Sequence, residues 1–236
     1  MSKEERLKIY KQKEIYPKKP PLLEALSWLW RSRFVHKYTS QRDAEMYDQV
    51  ARYYFSREKL ARQIGIVFLE NFDADPSQIT IYDRAAGTGI ITEALLDAGF
   101  KVCASDLSQD QLNKLKVKFE NVPTVVEDLN GPMVTVADSS IDGMVEVAAD
   151  RFMTAQGQEI FVKEAYRVLK KGGILVWPVL FGEYYGKLKH GWKWRAGARA
   201  RIKLLQENSF KILSDDLKIW DISPASMCRL LIAKKE

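Results

Sequence analysis

The residues most able to bind a ligand lie in a short segment that predicts a strand, a tight glycine turn and a helix. The turn reads Asp83-Arg-Ala85-Ala-Gly87-Thr-Gly89. Gly87 and Gly89 carry no Cβ atom, so the backbone there can approach a ligand closely. Such a turn at the carboxyl end of a first strand is the usual crevice for a nucleoside in an α/β sheet. The segment therefore predicts a nucleoside-binding site.

The spacing of the glycines bears on which nucleoside is bound. A dinucleotide fingerprint needs a third glycine at position 92, where Thr92 stands. A phosphate-binding P-loop would need Gly-Lys-Ser or Gly-Lys-Thr, and neither is present in the turn. Asp83, just before the turn, suits a ligand with a cationic amine better than one with a pyrophosphate. The pattern therefore weakens the interpretation as an NAD site and does not fit a P-loop.

Acidic residues also follow the second and third predicted strands. Asp106 comes seventeen residues after Gly89, where a carboxylate can accept two hydrogen bonds from ribose hydroxyls. Glu127-Asp128-Leu129 follows the third strand, where a side chain can reach an adenine amino group. Each acid alone could be a loop residue or a helix cap. Their order, each just after a strand, favours a nucleoside site.

Short apolar runs alternate with helical segments from Gln78 onward. The predicted strands are Ile79–Tyr82, Lys101–Ser105, Thr124–Val126, Ile141–Val147, Ile174–Leu180, Phe210–Ser214 and Met227–Ala233, and the predicted helices are Ile90–Ala98, Ser108–Phe119, Gln158–Leu169 (ended by Gly172-Gly173) and Ala196–Asn208. This alternation implies an α/β fold with a doubly wound, mostly parallel seven-stranded sheet and helices on both faces. Nothing helical fits between the last two strands, so we expect an antiparallel last strand at the sheet edge.

The part of the chain before the sheet has a different pattern. Pro17, Pro20 and Pro21 separate a basic arm from an apolar, aromatic run over Leu22–Tyr38 that has helical spacing. A second helical stretch covers about Ala44–Phe72. We therefore expect residues 1–75 to form a basic arm and a helical lid, and residues 76–236 to form the ligand-binding domain.

A series of motifs across residues 45 to 233 resembles the class I (Rossmann-like) S-adenosylmethionine-dependent methyltransferases, of the small-molecule type that includes ubiquinone and menaquinone methyltransferases. The family's glycine motif, D/E-x-G-x-G-x-G, is matched from Asp83 to Gly89, with Ala85 in place of the first glycine. The other matching segments are Tyr47-Asp48-Gln-Val50-Ala51-Arg-Tyr53-Tyr54, Asp106, Asp128-Leu129, Ile141-Asp142-Gly-Met-Val145 and Glu164-Ala-Tyr-Arg167-Val-Leu-Lys-Lys-Gly172-Gly173.

The resemblance implies that the cofactor is S-adenosyl-L-methionine and assigns residues to its parts. Asp83, Ala85, Gly87 and Gly89 would line the methionine end, which Tyr47 and Tyr54 help to cover; Asp106 would bind the ribose, Leu107, Asp128 and Leu129 would form the adenine pocket, and Glu146 would lie near the methyl group.

Methyl transfer needs a base only if the acceptor atom must lose a proton, so a diagnostic catalytic residue can be absent. The candidates are His190, between the fifth strand and the next helix, and Glu146 and Asp150 at the end of the fourth strand. His190 could instead lie in an aromatic surface loop, and either acid could cap a helix.

The adjacent pair Asp215-Asp216 is expected to be a turn, and we expect no metal.

Three functions remain open. Aromatic residues on both sides of the glycine segment favour a small, largely apolar acceptor such as a quinone, a lipid or a secondary metabolite. Basic residues among aromatic ones over Lys187–Arg201 favour nucleic-acid methylation, although Val147-Ala-Ala-Asp150 does not resemble the loop that grips a flipped base amine. A protein acceptor is an alternative to nucleic acid. The third possibility is not catalytic: a cofactor-binding scaffold or an interaction protein.

The composition and charge of the chain bear on these possible functions. The 236-residue chain is 46% hydrophobic and 29% charged, as in ordinary globular proteins, with a net charge of +6. Residues 1–20 hold seven Lys/Arg against three Glu, as in a solvated arm, or in a patch that contacts nucleic acid or a membrane surface. Cys103 and Cys228 have no metal-site spacing and are expected to be free thiols. With neither a signal peptide nor an apolar run of about 18 residues, we expect a cytoplasmic protein.

Overall fold

A computed structural model of the chain describes residues 2–13, 57–149, 153–180, 198–219 and 227–236. The helices in these ranges are α1 (Lys3–Gln12), α2 (Arg57–Asn71), α3 (Ile90–Asp97), α4 (Gln109–Lys118), α5 (Ala155–Val168) and α6 (Ala198–Glu207). The strands are β1 (Thr80–Arg84), β2 (Lys101–Asp106), β3 (Thr124–Val126), β4 (Ile141–Glu146), β5 (Leu169–Val176), β6 (Val179–Leu180), β7 (Phe210–Ile219) and β8 (Met227–Lys235). Within the same ranges, no helix is both long and apolar enough to cross a bilayer.

The strands form one sheet whose order is β3-β2-β1-β4-β5-β8-β7. Neighbours from β3 to β5 are parallel, whereas β8 runs antiparallel to both β5 and β7. The two-residue β6 pairs with β8 just beyond β5, so it continues β5 rather than adding a position. The predicted seven-stranded, mostly parallel sheet with an antiparallel last strand is therefore confirmed.

Helices cover both faces of the sheet because successive strand residues point to opposite sides. Ile81 lies in an apolar cluster with residues of α2 and α3, such as Phe68 and Leu95. Tyr82, the next residue, lies in a second cluster with Phe161 of α5. The sheet thus has an apolar core on each face.

Gly143 allows α2 to pack closely on the sheet. It pairs with Ile81 across β4 and β1. A Cβ atom at position 143 would lie 2.5 Å from Ile81 Cδ1 and 2.7 Å from Phe68 Cε1, closer than real Cβ contacts. The glycine therefore brings α2 against the two strands at the centre of the sheet.

Two predicted boundaries differ from the structure. The helix predicted over Gln158–Leu169, with Gly172-Gly173 as its stop, covers Ala155–Val168, and the glycines lie inside β5. Gly172 has a φ of 81°, and the pairing of β4 with β5 is irregular there, so the glycines form a bulge instead of a helix stop. The fifth strand is also divided before Val179, because Pro178 has no N–H group to donate to the neighbouring strand.

The described part of the N-terminal arm is helical and not a solvated tail. Residues 3–12 form α1, and Ser2 caps this helix by accepting a hydrogen bond from the Glu5 N–H. Residues 57–71 of the second predicted helical stretch are helical as expected. The aromatic run Leu22–Tyr38 lies outside the described residues.

Candidate functional site

A cleft opens at the carboxyl ends of β1 and β4, where the strand order reverses. Its free volume is about 420 Å³, part of which is open to solvent. The lining residues are Arg57, Asp83, Ala85, Ala86, Gly87, Thr88, Ile90, Ile91 and Val147. A reversal of strand order is where open α/β sheets bind ligands, so the cleft lies where the glycine turn predicted it.

Asp83 places a buried carboxylate in the wall of this cleft. Only 1% of the residue is exposed, and Thr92 Oγ1 donates a hydrogen bond of 2.6 Å to Asp83 Oδ2. Burial raises the pKa of Asp83 to about 7, although the hydrogen bonds from Thr92 act in the opposite direction. A cation in the cleft would stabilise the ionised form, because an opposite charge nearby lowers the pKa of a carboxyl group.

The glycine turn connects Asp83 to α3. Gly87 has a φ of 57° and Gly89 a φ of 91°, conformations that side-chain-bearing residues rarely adopt. A Cβ atom at Gly87 would have no neighbour within 4 Å, so this part of the backbone is open to a ligand. Gly89 lies against α4 instead, where a Cβ atom would come within 3.1 Å of Leu115 Cγ. The two glycines therefore serve different purposes, ligand approach and helix packing.

Ala85 adopts the conformation of the glycine that it replaces. Its φ is 61°, in the left-handed region, where a Cβ atom is strained by roughly 1–2 kcal/mol. The side chain lines the cleft and packs against the second apolar cluster. The departure from the glycine motif therefore leaves the turn intact, at a cost in backbone strain.

Asp106 ties the end of β2 to the glycine turn. Its Oδ2 accepts a hydrogen bond of 2.9 Å from the Gly87 N–H, and its Oδ1 accepts one of 2.9 Å from the Ser108 N–H. Burial raises its pKa, and these backbone donors lower it in part. Each carboxylate oxygen can accept a second hydrogen bond, as binding to ribose hydroxyls would require. Leu107 is 67% exposed beside it and offers an apolar surface to a flat ring.

The residues after β3 point in different directions. Asp128 is exposed, and its Oδ1 accepts hydrogen bonds from the backbone and side-chain nitrogens of Asn130. Leu129 is buried in the second apolar cluster, so its side chain is part of the core rather than of an open adenine pocket. Glu127 turns inward, where its carboxylate accepts a hydrogen bond from Ser105 Oγ.

Glu146 lies at the end of β4, behind the wall of the cleft. The residue is fully buried and does not line the cleft, whereas its neighbour Val147 does. Its Oε2 accepts a hydrogen bond of 2.7 Å from Trp177 Nε1, and its Oε1 accepts one from the Ala149 N–H. In this structure the carboxylate holds β5 and the turn after β4, and its assignment as a base or a cofactor contact stays a prediction.

Four other predicted site residues, Tyr47, Tyr54, Asp150 and His190, lie outside the described residues. Their assignments as cofactor contacts or bases stay predictions.

Two arginines at this edge of the sheet, and the role of Thr92, were not predicted from the sequence. Arg57, the first residue of α2, is 8% exposed and lines the cleft together with Asp83. Arg84 is buried, pairs with Glu127 and donates to the Gly131 carbonyl oxygen, so it holds the loop after β3. In the sequence, Thr92 was interpreted only as the place of a missing third glycine. A hydroxyl nine residues after a buried acid, one turn into the helix, could have predicted its hydrogen bond to Asp83.

Comparisons with known proteins agree with this geometry. Residues 82–177 match the family model described as "Methyltransferase domain". None of the curated proteins compared with the sequence matches it.

Solved structures of S-adenosylmethionine-dependent methyltransferases have a similar fold. A TehB-like enzyme from Corynebacterium glutamicum has a TM-score of 0.61 at 19% identity, over 84% of this chain and 100% of that one. A methyltransferase from Methanosarcina mazei has a TM-score of 0.59 at 18% identity, over 72% and 96%. Magnesium protoporphyrin IX methyltransferase from Synechocystis, with bound cofactor, has a TM-score of 0.59 at 13% identity, over 88% and 89%. At these identities the likeness shows the fold.

The strain at Ala85 predicts that Ala85→Gly stabilises the protein. Glycine adopts a φ of 61° without a Cβ clash, so we expect the free energy of unfolding to rise by about 1 kcal/mol, measured by urea denaturation. Ala86→Gly is the matched control, because Ala86 is buried and has no positive φ. It should lower stability by roughly 1 kcal/mol. Equal effects of the two substitutions would contradict a strained Ala85.

The raised pKa of Asp83 predicts how stability varies with pH in the ligand-free protein. The folded state holds the proton up to about pH 7, whereas an unfolded aspartate loses it near its ordinary value of 3.8. The folded state therefore loses stability as the pH rises through this window. Asp83→Asn should remove that part of the dependence, measured as the difference between variant and wild type in urea unfolding from pH 5 to 8.5. A difference that does not change with pH would contradict the prediction.

Proposed function

We propose that this chain, whose residues 82–177 match the family model described as "Methyltransferase domain", is an S-adenosylmethionine-dependent methyltransferase that methylates a small, largely apolar acceptor such as a quinone, a lipid or a secondary metabolite. The observation that carries the proposal is the composition of the cleft. Its charged residues, Arg57 and Asp83, are accompanied by an otherwise largely apolar wall. The charged part suits the cofactor, and the apolar part suits the acceptor.

The residues of the cleft fit S-adenosylmethionine. The amino-acid end of this cofactor carries an ammonium and a carboxylate, and the cleft offers the opposite charge for each, Asp83 and Arg57. The open backbone at Gly87 leaves room for the ligand chain. Asp106 retains acceptor capacity for ribose hydroxyls, and the exposed Leu107 can lie against the adenine ring. A buried charge costs less when it is paired, and the ammonium of the cofactor would pair with the buried Asp83 carboxylate.

When bound, the cofactor supplies an electrophilic methyl group on sulfur. The chain must then hold the acceptor atom in line with that group at about 3 Å and exclude water, since alignment contributes much of the rate. Ile90, Ile91 and Val147 can do this by packing against the acceptor. These side chains offer no hydrogen bond, so an acceptor bound against them loses least if it is itself apolar.

The charges of the N-terminal arm argue against a nucleic-acid acceptor. Four cationic side chains of this arm form ion pairs with carboxylates of the same chain: Lys3–Asp73, Arg6–Asp75, Lys11–Glu70 and Lys13–Asp97. A phosphate backbone would have to compete for these cations. The arm therefore gives less support to nucleic-acid binding than its composition suggested.

The pairing of Arg57 with the cofactor carboxylate predicts a selective loss of affinity in Arg57→Gln. Calorimetric titration should show S-adenosylmethionine and S-adenosylhomocysteine binding roughly tenfold to a hundredfold more weakly, the loss expected for a hydrogen bond to a charged group. Binding of 5′-methylthioadenosine, which lacks the amino-acid end, should be unchanged.

Two controls bracket this measurement. Lys59→Gln changes an exposed cation in the same turn of α2 and should bind all three ligands as the wild type does. Asp106→Ala should weaken all three, because they share the ribose. An Arg57→Gln variant that loses 5′-methylthioadenosine as well would argue against a carboxylate contact.

The acceptor class is tested by methyl transfer from the labelled cofactor to panels of quinones, lipids, small polar metabolites, RNA, DNA and proteins. We expect label in an apolar small molecule and no label in nucleic acid. Transfer to RNA, DNA or protein would replace the proposed acceptor. Cofactor binding without transfer to any panel would favour a non-catalytic, cofactor-binding scaffold.

A further inference from the structure

Helix α1 lies across α2 and α3 and contacts both. Tyr10 is buried over Gly65 of α2, and its hydroxyl donates a hydrogen bond of 2.8 Å to the Ala94 carbonyl oxygen of α3. Arg62 of α2 donates to the Tyr10 carbonyl oxygen and lies 5.8 Å from the centre of its ring. Tyr10 thus connects α1 to two helices that are separated in the sequence by β1.

The absence of a side chain at Gly65 leaves room for the Tyr10 ring. A Cβ atom at position 65 would lie 2.5 Å from Tyr10 Oη and 2.9 Å from Cζ, which no real Cβ contact tolerates. Glycine inside a helix lowers the stability of that helix relative to alanine, so its presence in the middle of α2 needs a packing reason. The Tyr10 ring supplies that reason.

Ion pairs extend the contact along α1 and just beyond it. Lys11 Nζ lies 2.7 Å from Glu70 Oε1, near the end of α2, and Lys13 pairs with Asp97, the last residue of α3. Each such exposed pair is weak, and salt screens it. The buried Tyr10 is therefore the main anchor, and the pairs fix the direction in which α1 lies.

Helices α2 and α3, which Tyr10 connects to α1, both begin at the cleft. Arg57, the first residue of α2, and Ile90 and Ile91, the first residues of α3, line it. Tyr10 and Lys13 engage later parts of the same helices, at Gly65 and at Ala94 to Asp97. A shift between the two helices would therefore change the separation of Arg57 from the wall that α3 provides.

We propose that α1 is a clasp that sets the geometry of the cofactor cleft, and that Tyr10 is a positioning residue for S-adenosylmethionine binding although it does not line the cleft. The proposal rests on cofactor binding at the cleft and is independent of the acceptor. It assigns the basic arm an internal task in place of an external anionic partner.

Gly65→Ala is the sharpest test in the full-length protein. The new methyl group must displace Tyr10, while alanine strengthens α2 itself. We expect calorimetric titration to show at least about fivefold weaker binding of S-adenosylmethionine, in a protein whose circular dichroism shows a folded domain. Tyr10→Ala should weaken binding similarly, and Tyr10→Phe, which keeps the ring, should retain most of the affinity.

A double-mutant cycle separates clasping from a general loss of stability. With Tyr10 already replaced by alanine, Gly65→Ala has no ring to displace and should not weaken binding further. Lys8→Ala is the matched control, because it removes an exposed cation from α1 and should leave the affinity unchanged.

The outcomes are distinguishable. Failure of the wild type to bind the cofactor would sink the proposed function itself. Wild-type affinity in folded Gly65→Ala and Tyr10→Ala variants would overturn only the clasp, as would additive losses in the cycle. Binding of anionic vesicles or RNA that is lost in Lys8→Ala would also overturn it, by giving the arm an external partner.

Discussion

The hydrogen bond from the Gly87 N–H to the Asp106 carboxylate is the constraint on which the site depends. It joins the turn after β1 to the end of β2, and Asp106 also accepts from the Ser108 N–H at the start of α4. One carboxylate thereby fixes two loops and the beginning of a helix. The open backbone at Gly87 and the strained Ala85 then have defined positions, because the turn between them cannot relax without breaking this bond.

Buried charge is concentrated at the same edge of the sheet, and it has different uses. The Arg84–Glu127 pair holds the loop after β3, and the Glu146 carboxylate holds Trp177 and the turn after β4. Both carboxylates have partners within the protein, although Arg84 Nη1 and Glu127 Oε1 are buried without a hydrogen bond among the described residues. Asp83, by contrast, receives its hydrogen bonds from Thr92, and burial raises its pKa. Of these carboxylates, Asp83 has the most to gain from a cationic ligand.

The fold could be predicted from the sequence because apolar periodicity records which face of each element is buried. The boundaries were less readable where single residues interrupt a strand, as Pro178 does, or form a bulge, as Gly172 does. Within the site, Asp83 and Asp106 were predictable because local spacing places them at strand ends. The roles of Asp128 and Leu129 were less predictable. β3 has only three residues, so its alternation does not show from the sequence which of the following side chains points inward, and in the structure Glu127 does.

Contacts between distant segments explain what the sequence did not reveal. Arg57 precedes the glycine turn by some thirty residues, and nothing in its own segment places it in the cleft. The basic arm is the clearer case, because its net charge fitted either a solvated arm or an external anionic partner. The acids that neutralise it lie between Glu70 and Asp97, and Gly65 and Ala94 receive Tyr10. The net charge of a segment leaves out the acidic residues elsewhere in the domain that pair with it. The function of a cation, however, depends on which carboxylate the fold brings to it. Excess charge in a terminal arm therefore carries information about partners only after the acids of the same domain have been placed.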